Sequence, residues 1–288
     1  ANEPRRVTDI QWPCEVIDDF GQVVPGGAWY RPGPIFQARC QGLWPSAGDG
    51  VWSDPVFSAT CLPHADRFDY LQVPQIGCDT ALGKGEDFFA AHGRWGSVSL
   101  VHETSNTMDP VQIFAALKRI AQYLADHFNE RKHKNEAPLD PRAVRIAIDD
   151  DGVGNAVLAL LKREKYSVFA VGAGCRASRE QSYPNKRSEL WFDVADRAEL
   201  GLLHLHCLDK PTVRRLRQQL LAVRWSLNAA GQRVVEPKDK IKERIGRSPD
   251  DGDALNLAYY QLPTAAMSMV TMTARPKRER AAAERGRR

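Results

Sequence analysis

No apolar run in the chain approaches the roughly 20 residues that a membrane-crossing helix needs. The first residues, ANEPRRVTDIQWP, contain no apolar core of the secretory-signal kind, so no such leader is expected. Cysteine is sparse, at positions 14, 40, 61, 78, 175 and 207, with no C-x-x-C pair and no zinc-binding spacing. Several of these cysteines fall inside apolar runs, where the side chain acts as a small hydrophobe. Free thiols in a reducing cytoplasm are the simpler expectation. Nucleotide-binding loops are missing too. GCDTALGKGED holds a Gly-Lys pair at the wrong spacing for G-x-x-x-x-G-K-[ST], and AVGAGCRAS lacks the full dinucleotide fingerprint and reads as a strand-to-loop turn. Nor is the body of the chain basic. The net charge of +4 resides in the tail RPKRERAAAERGRR, residues 275–288, which carries seven Arg/Lys and two Glu. Taking that +5 away from 40 basic and 36 acidic residues leaves 33 against 34, so a nucleic-acid surface on the body has to be a local patch.

Residues 1–70 are rich in Pro, Gly and Trp and read as an irregular connecting or covering segment with a short helix. Periodicity sharpens from residue 71. VPQIGCD reads as a strand ending at Asp79, and DFFAAHGRWGSVSLVHET as a hairpin turning at RWGS. Asp109 followed by Pro110 starts a helix that runs to about His127. AVRIAID is a strand with Val144, Ile146 and Ile148 on one face and Ala147 and Asp149 on the other. The glycines of DGVGNAV turn the chain into a helix ending near Lys165, and YSVFAVGAG returns as a strand. Helices follow at 187–198 and 211–223, then a Gly-turn hairpin in SLNAAGQRVVE and a helix in SPDDGDALNLAYYQL. The order predicts a mixed α/β sheet with helices packed on it over residues 71–265, and a basic, unstructured tail over 266–288.

Three carboxylates hold special places: Asp79 and Asp149 at strand ends, Asp250 at a helix start. Acids at the ends of adjacent strands can converge, and a helix packed on the sheet can bring the third alongside. Clustered carboxylates repel and call for a counter-charge, which hard divalent cations supply through oxygen ligands. In GRSPDDGDALNLA, Ser248 is a natural N-cap, Pro249 suits the first helical position, and Asp251 falls where a capping box closes. Positions 250, 253, 254, 257 and 258 share one helix face, acidic at its tip and small and apolar behind. Asp253 is therefore an auxiliary candidate, or a helix-start acid favoured by the dipole.

In this order, IGCDTALGKGEDFFAAHGRWG, IAIDDDGVGNAVLALL, YPNKRSELWFDVADRAELG and KDKIKERIGRSPDDGDALNLA resemble the nuclease part of the phage large terminase family. PGPIFQARCQGLWPSAGDGVW resembles that family's passage between ATPase and nuclease parts, so the likeness covers roughly residues 33–260. The S-P-D-x-x-D-A-L segment is its most specific element. The resemblance implies a ribonuclease H-like fold, with Asp79, Asp149 and Asp250 as catalytic metal ligands. It implies two Mg²⁺ or Mn²⁺ ions, sequence-tolerant cutting of double-stranded DNA, and Lys238 near the site. It further implies, as partners, a terminase ATPase domain, a small terminase subunit and a portal, in the cytoplasm of an infected or lysogenic bacterial host, with no membrane. Asp150 and Asp151 extend Asp149 into a triple acid, which leaves the identity of the second ligand open among them. For Lys238 the other reading is a solvated lysine in the charged run KDKIKER.

Arg214, Arg215 and Arg217, with Arg224 beside Trp225, are candidates for DNA phosphate contact, or else a solvated face. His204 and His206 read as core or surface histidines rather than metal ligands. Two functions compete with the terminase nuclease: another ribonuclease H-like nuclease, such as a junction resolvase, and a non-catalytic docking module with a degenerate site.

Overall fold

The computed structural model describes residues 50–63, 72–80, 88–132, 137–149 and 154–262. The segment 1–49, the acids Asp150 and Asp151, and the basic tail lie outside the described residues. No helix among the described residues is long and apolar enough to cross a membrane.

Five strands form the main sheet: β1 (Gln75–Asp79), β2 (Phe89–Trp95), β3 (Val98–Ser105), β4 (Arg145–Ile148) and β5 (Val168–Ala170), in the order β3-β2-β1-β4-β5. The hairpin partners pair antiparallel, whereas β1, β4 and β5 pair parallel. Parallel neighbours need a crossover, and α2 (Pro110–Arg131) and α3 (Gly154–Arg163) provide it. The Asp109 carboxylate accepts from the Gln112 amide while the Gln112 side chain accepts from the Asp109 amide, a complete capping box that starts α2.

Alternation sorts the strand residues onto two faces. Ile76, Cys78, Ile146 and Ile148 point into one cluster with α2 and α3, built around Leu117, Leu124, Val157 and Leu161. Gln75, Gly77, Asp79 and Ala147 lie on the opposite face. There α7 (Asp250–Tyr259) packs directly on β1 and β2, backed by α4 (Lys186–Glu199) and α5 (Lys210–Ala222). Within the stretch read as irregular covering chain, α1 (Asp54–Thr60) joins this side of the molecule: Val51, Trp52 and Phe57 share a buried cluster with Trp191, Leu216 and Leu220. The small hairpin β6 (Trp225–Leu227) and β7 (Arg233–Val235) leads into α6 (Lys238–Ile245), which ends at Gly246 in the left-handed region, φ 74°.

Gly77 sets how closely α7 approaches. A Cβ at this position would stand 2.0 Å from the Ala258 nitrogen and 2.2 Å from the Ala254 oxygen, both backbone. The small face formed by Ala254 and Ala258 thus meets a strand with no side chain in the way. Gln75 then donates to the carbonyls of Leu257 (3.0 Å) and Tyr260 (2.9 Å), and Arg94 to that of Ala258 (2.5 Å). These bonds tie the C-terminal end of α7 to β1 and β2, and a buried cation sits at the negative end of the helix dipole.

Candidate metal centre

Helix α7 runs antiparallel to β1, so its first turn arrives where β1 and β4 end. Cys78 pairs with Ile148, and the Asp149 amide donates to the Cys78 carbonyl at 3.0 Å, so the next residues, Asp79 and Asp149, lie side by side on the α7 face. Gly154 permits this arrangement on the far side: a Cβ there would stand 1.9 Å from the Asp149 carbonyl oxygen. Asp79 is 5% exposed and Asp250 1%, both far below what an aspartate ordinarily shows.

Lys238, the first residue of α6, stands among these acids. Its Nζ lies 3.2 Å from Asp79 Oδ2 and 2.9 Å from Asp253 Oδ2. The Trp191 indole donates to Asp253 Oδ1 at 2.9 Å, and the Phe88 amide to Asp250 Oδ2 at 2.8 Å. Each α7 acid is thereby aimed by a donor from another element. Arg214 and Arg224 are exposed. Arg215 instead turns inward, its Nε 3.6 Å from Asp251 Oδ2, and Arg217 pairs with Asp54 at 2.6 Å. His204 is buried in the bridge to Val98, its ring 6.0 Å from that of His206.

The electrostatics are those of too many negative charges for one lysine. Burial lifts the Asp79 carboxyl well above the ordinary range; Lys238 pulls it down, while Asp250, Asp253 and Asp149 push it up. Burial also raises Asp250, to about 6, against the hydrogen bonds from Ser248 and Phe88. For Asp253 burial is outweighed by Lys238 and Arg187, and its carboxyl stays below the usual value. Burial disfavours the Lys238 ammonium, yet Asp253 and then Asp79 hold it charged far beyond the normal lysine range. An all-oxygen donor set with surplus negative charge fits a hard divalent cation in chemistry. Among the described residues, no three such side chains are gathered tightly enough to enclose an ion as they stand, with Lys238 bridging two of them.

One expectation is corrected. Asp251 does not close a capping box with Ser248. The N-cap position of α7 is Pro249, without a side-chain bond, and the Ser248 hydroxyl serves Asp250 instead. Asp251 is 0% exposed and collects His102 Nε2 at 2.8 Å, Gln219 Nε2 at 2.7 Å and Arg247 Nη2 at 3.4 Å. His102 in turn meets His92, Nδ1 to Nδ1 at 3.0 Å, and His92 reaches Ser99 at 2.8 Å. Burial, with His102 and Arg94 nearby, depresses His92 well below the ordinary histidine range, so that ring is neutral. Tertiary partners supplied by β3 and α5 displaced the local cap. Trp191, Arg187 and Phe88 were also missed; their contacts with the acids are long-range and leave no local pattern.

No protein-family model matches the chain, and no curated protein does. Solved structures match it. The nuclease domain of the large terminase subunit of bacterial virus Sf6 superposes with a TM-score of 0.57 at 16% identity, over 74% of this chain and 100% of that one. A lysine-to-alanine variant of the same domain, solved with manganese, gives 0.55 at 15% identity over 74% and 100%. The variant with calcium gives 0.55 at 16% over the same shares. With five strands in mixed pairing and helices packed on the sheet, the chain has the ribonuclease H-like fold of phage large terminase nuclease domains.

Proposed function

We propose that the chain is a divalent-metal-dependent endonuclease that cuts double-stranded DNA concatemers during viral genome packaging. The observation that supports this reading is the group of acids at the sheet end where α7 begins: Asp79 and Asp253 share Lys238, and Asp250 and Asp149 lie near enough to raise the Asp79 carboxyl. Similar nuclease domains solved with manganese or calcium support divalent metal use. Asp79, Asp149 and Asp250 would hold the metal, with Asp253 auxiliary. Two Mg²⁺ or Mn²⁺ ions bound there would activate water and stabilise the leaving oxygen of a phosphodiester. The chain's own part is orientation. Phe88 and Ser248 fix Asp250, Trp191 fixes Asp253, and Lys238 offsets the repulsion that would otherwise spread the carboxylates. Arg214, Arg217 and Arg224, being exposed, are better placed than Arg215 to meet DNA phosphates. A terminase ATPase domain, a small terminase subunit and a portal are the partners this function calls for.

The test is cleavage of supercoiled plasmid with Mn²⁺, Mg²⁺ or EDTA. Wild-type protein should nick with either metal and not with EDTA. Asp250→Asn should lose on the order of a hundredfold or more in rate, as for a catalytic electrostatic group. A folded wild-type protein that binds duplex DNA but never cuts it would instead mark a docking module with a degenerate site.

A further inference from the structure

Beside the acids lies a cavity of about 30 Å³, lined in part by Asp149, Asp253, Lys238, Trp191, Arg187 and Asn256. Its size admits one or two oxygen-sized groups and excludes a base or a sugar. Two of its polar side chains hold atoms that find no partner among the described residues. Asn256 lies one turn beyond Asp253 on α7 and is 1% exposed, and both its Nδ2 and its Oδ1 are buried without a hydrogen bond. Arg187, from the first turn of α4, uses Nη1 on the Glu236 carbonyl at 2.6 Å, while Nε and Nη2 are buried and unbonded. Nε and Nη2 form the side-on edge of a guanidinium, the edge that binds phosphate and carboxylate oxygens with two parallel N–H bonds.

Native interiors satisfy nearly all buried polar atoms, because each unpaired one forfeits its hydration. An asparagine and an arginine edge left open in the same small cavity therefore indicate a guest. The guest's chemistry follows from the donors. Two guanidinium N–H groups and an amide N–H₂ favour an anionic oxygen, and the room is for one or two such atoms.

We propose that Arg187 and Asn256 receive one non-bridging phosphoryl oxygen of the DNA strand held at the carboxylates. The proposal rests on the nuclease reading above. Arg187 donates to the oxygen through its side-on edge, and Asn256 adds its amide N–H. The charge of the phosphate is thereby met inside the cavity that Asp149 and Asp253 also line. The strand gains a fixed orientation relative to Asp149 and Asp253. The unpaired amide persists in the free protein because an apolar residue there would shut the oxygen out.

Two variants test this, each measured for cleavage with Mn²⁺, duplex DNA affinity with Ca²⁺, and thermal melting without metal. Asn256→Leu removes two unpaired buried atoms and keeps the branched shape while its methyl groups fill the cavity, so its melting temperature should rise while cleavage falls at least about tenfold. Arg187→Ala should lose on the order of a hundredfold in cleavage, with duplex affinity little changed, and added guanidinium, but not sodium, should restore part of the rate. The opposing movements of stability and rate in Asn256→Leu, and the guanidinium rescue, are effects that a purely structural role would not produce. If Asn256→Leu melts higher and cuts at the wild-type rate, the cavity holds only solvent and the proposal is overturned. It is overturned equally if Arg187→Ala folds and cuts normally. Should Arg187→Ala fail to fold, Asn256→Leu alone decides. Wild-type protein that does not cut under any metal would sink the nuclease reading itself, a different failure from unimpaired variants of an active enzyme.

Discussion

Gly77→Ala is the smallest change that should separate α7 from the sheet. The added Cβ would stand 2.0 Å from the Ala258 nitrogen, 2.2 Å from the Ala254 oxygen and 2.6 Å from the Leu257 carbonyl carbon, all backbone atoms that cannot rotate away. Side-chain Cβ atoms essentially never come within 3.0 Å of such atoms, so α7 must retreat by at least the difference, 1.0 Å. The same retreat stretches the Gln75 bonds to Leu257 and Tyr260 from 3.0 and 2.9 Å to near 4 Å, beyond hydrogen-bond reach. Overpacking costs about 1–3 kcal/mol and each weakened bond roughly another 1 kcal/mol, which makes about 3–5 kcal/mol in all. For a domain of this size that lowers the melting temperature by roughly 10 °C. The functional cost should be larger, because Asp250 and Asp253 ride on the displaced helix, and a misplacement of about 1 Å at a reacting centre costs on the order of a hundredfold. Plasmid nicking well below the melting point, beside a thermal melt, reads both effects. Gly174→Ala is the control, since nothing lies within 4 Å of its added Cβ. A Gly77→Ala protein that melts within about 2 °C of wild type and cuts normally would refute the close approach of α7 to β1.

Two further outcomes follow from the buried charges. Asp251→Asn removes the anion from a fully buried site shared with His102, Gln219, Arg247 and Arg215, and should cost about 3 kcal/mol, several times what loss of a surface cap would. Burial works against the Asp251 charge but His102 and the arginines win and depress its pKa, so the stability it contributes is present above the ordinary aspartate value and is lost as pH falls below it; melts across pH should show the variant and wild type converging near and below 3.8. Glu199→Gln should act in the opposite sense. Burial, then Asp196, raises Glu199 to about 8, so its ionisation drains stability progressively from its ordinary 4.5 up to about 8 and fully above. The variant should melt higher than wild type above pH 8 and equally near 4.5; an unchanged difference across that range would show that Glu199 is solvated.

Much of the frame is readable from periodicity. Ile76 and Cys78 alternate with Gly77 and Asp79, and Ile146 and Ile148 with Ala147, so the acids at the strand ends fall on the face away from the first apolar cluster. The small residues Ala254 and Ala258 behind Asp250 and Asp253 likewise announce a helix that lies close on something flat. What escapes the sequence is what depends on distance along the chain. The partners of Asp251 come from positions 102 and 219, and the local S-P-D pattern points to a cap that the fold does not use. Lys238 begins a helix with a single buried residue, Ile241, so its run KDKIKER carries no visible stripe. Asn256 looks like any helical asparagine until Arg187 is placed across the cavity from it.

The hydrogen bond from the Trp191 indole to Asp253 gives the molecule a built-in optical gauge. An indole whose N–H points at a carboxylate emits according to the field along that bond, and the field changes whenever a cation or a phosphate enters beside it. Trp191 is one of seven tryptophans, so the signal is the part of the spectrum that Trp191→Phe abolishes. Titrations of metal and DNA can then be followed in unlabelled protein, on the time scale of mixing, and arrival at the acids can be timed separately from the cutting that comes after.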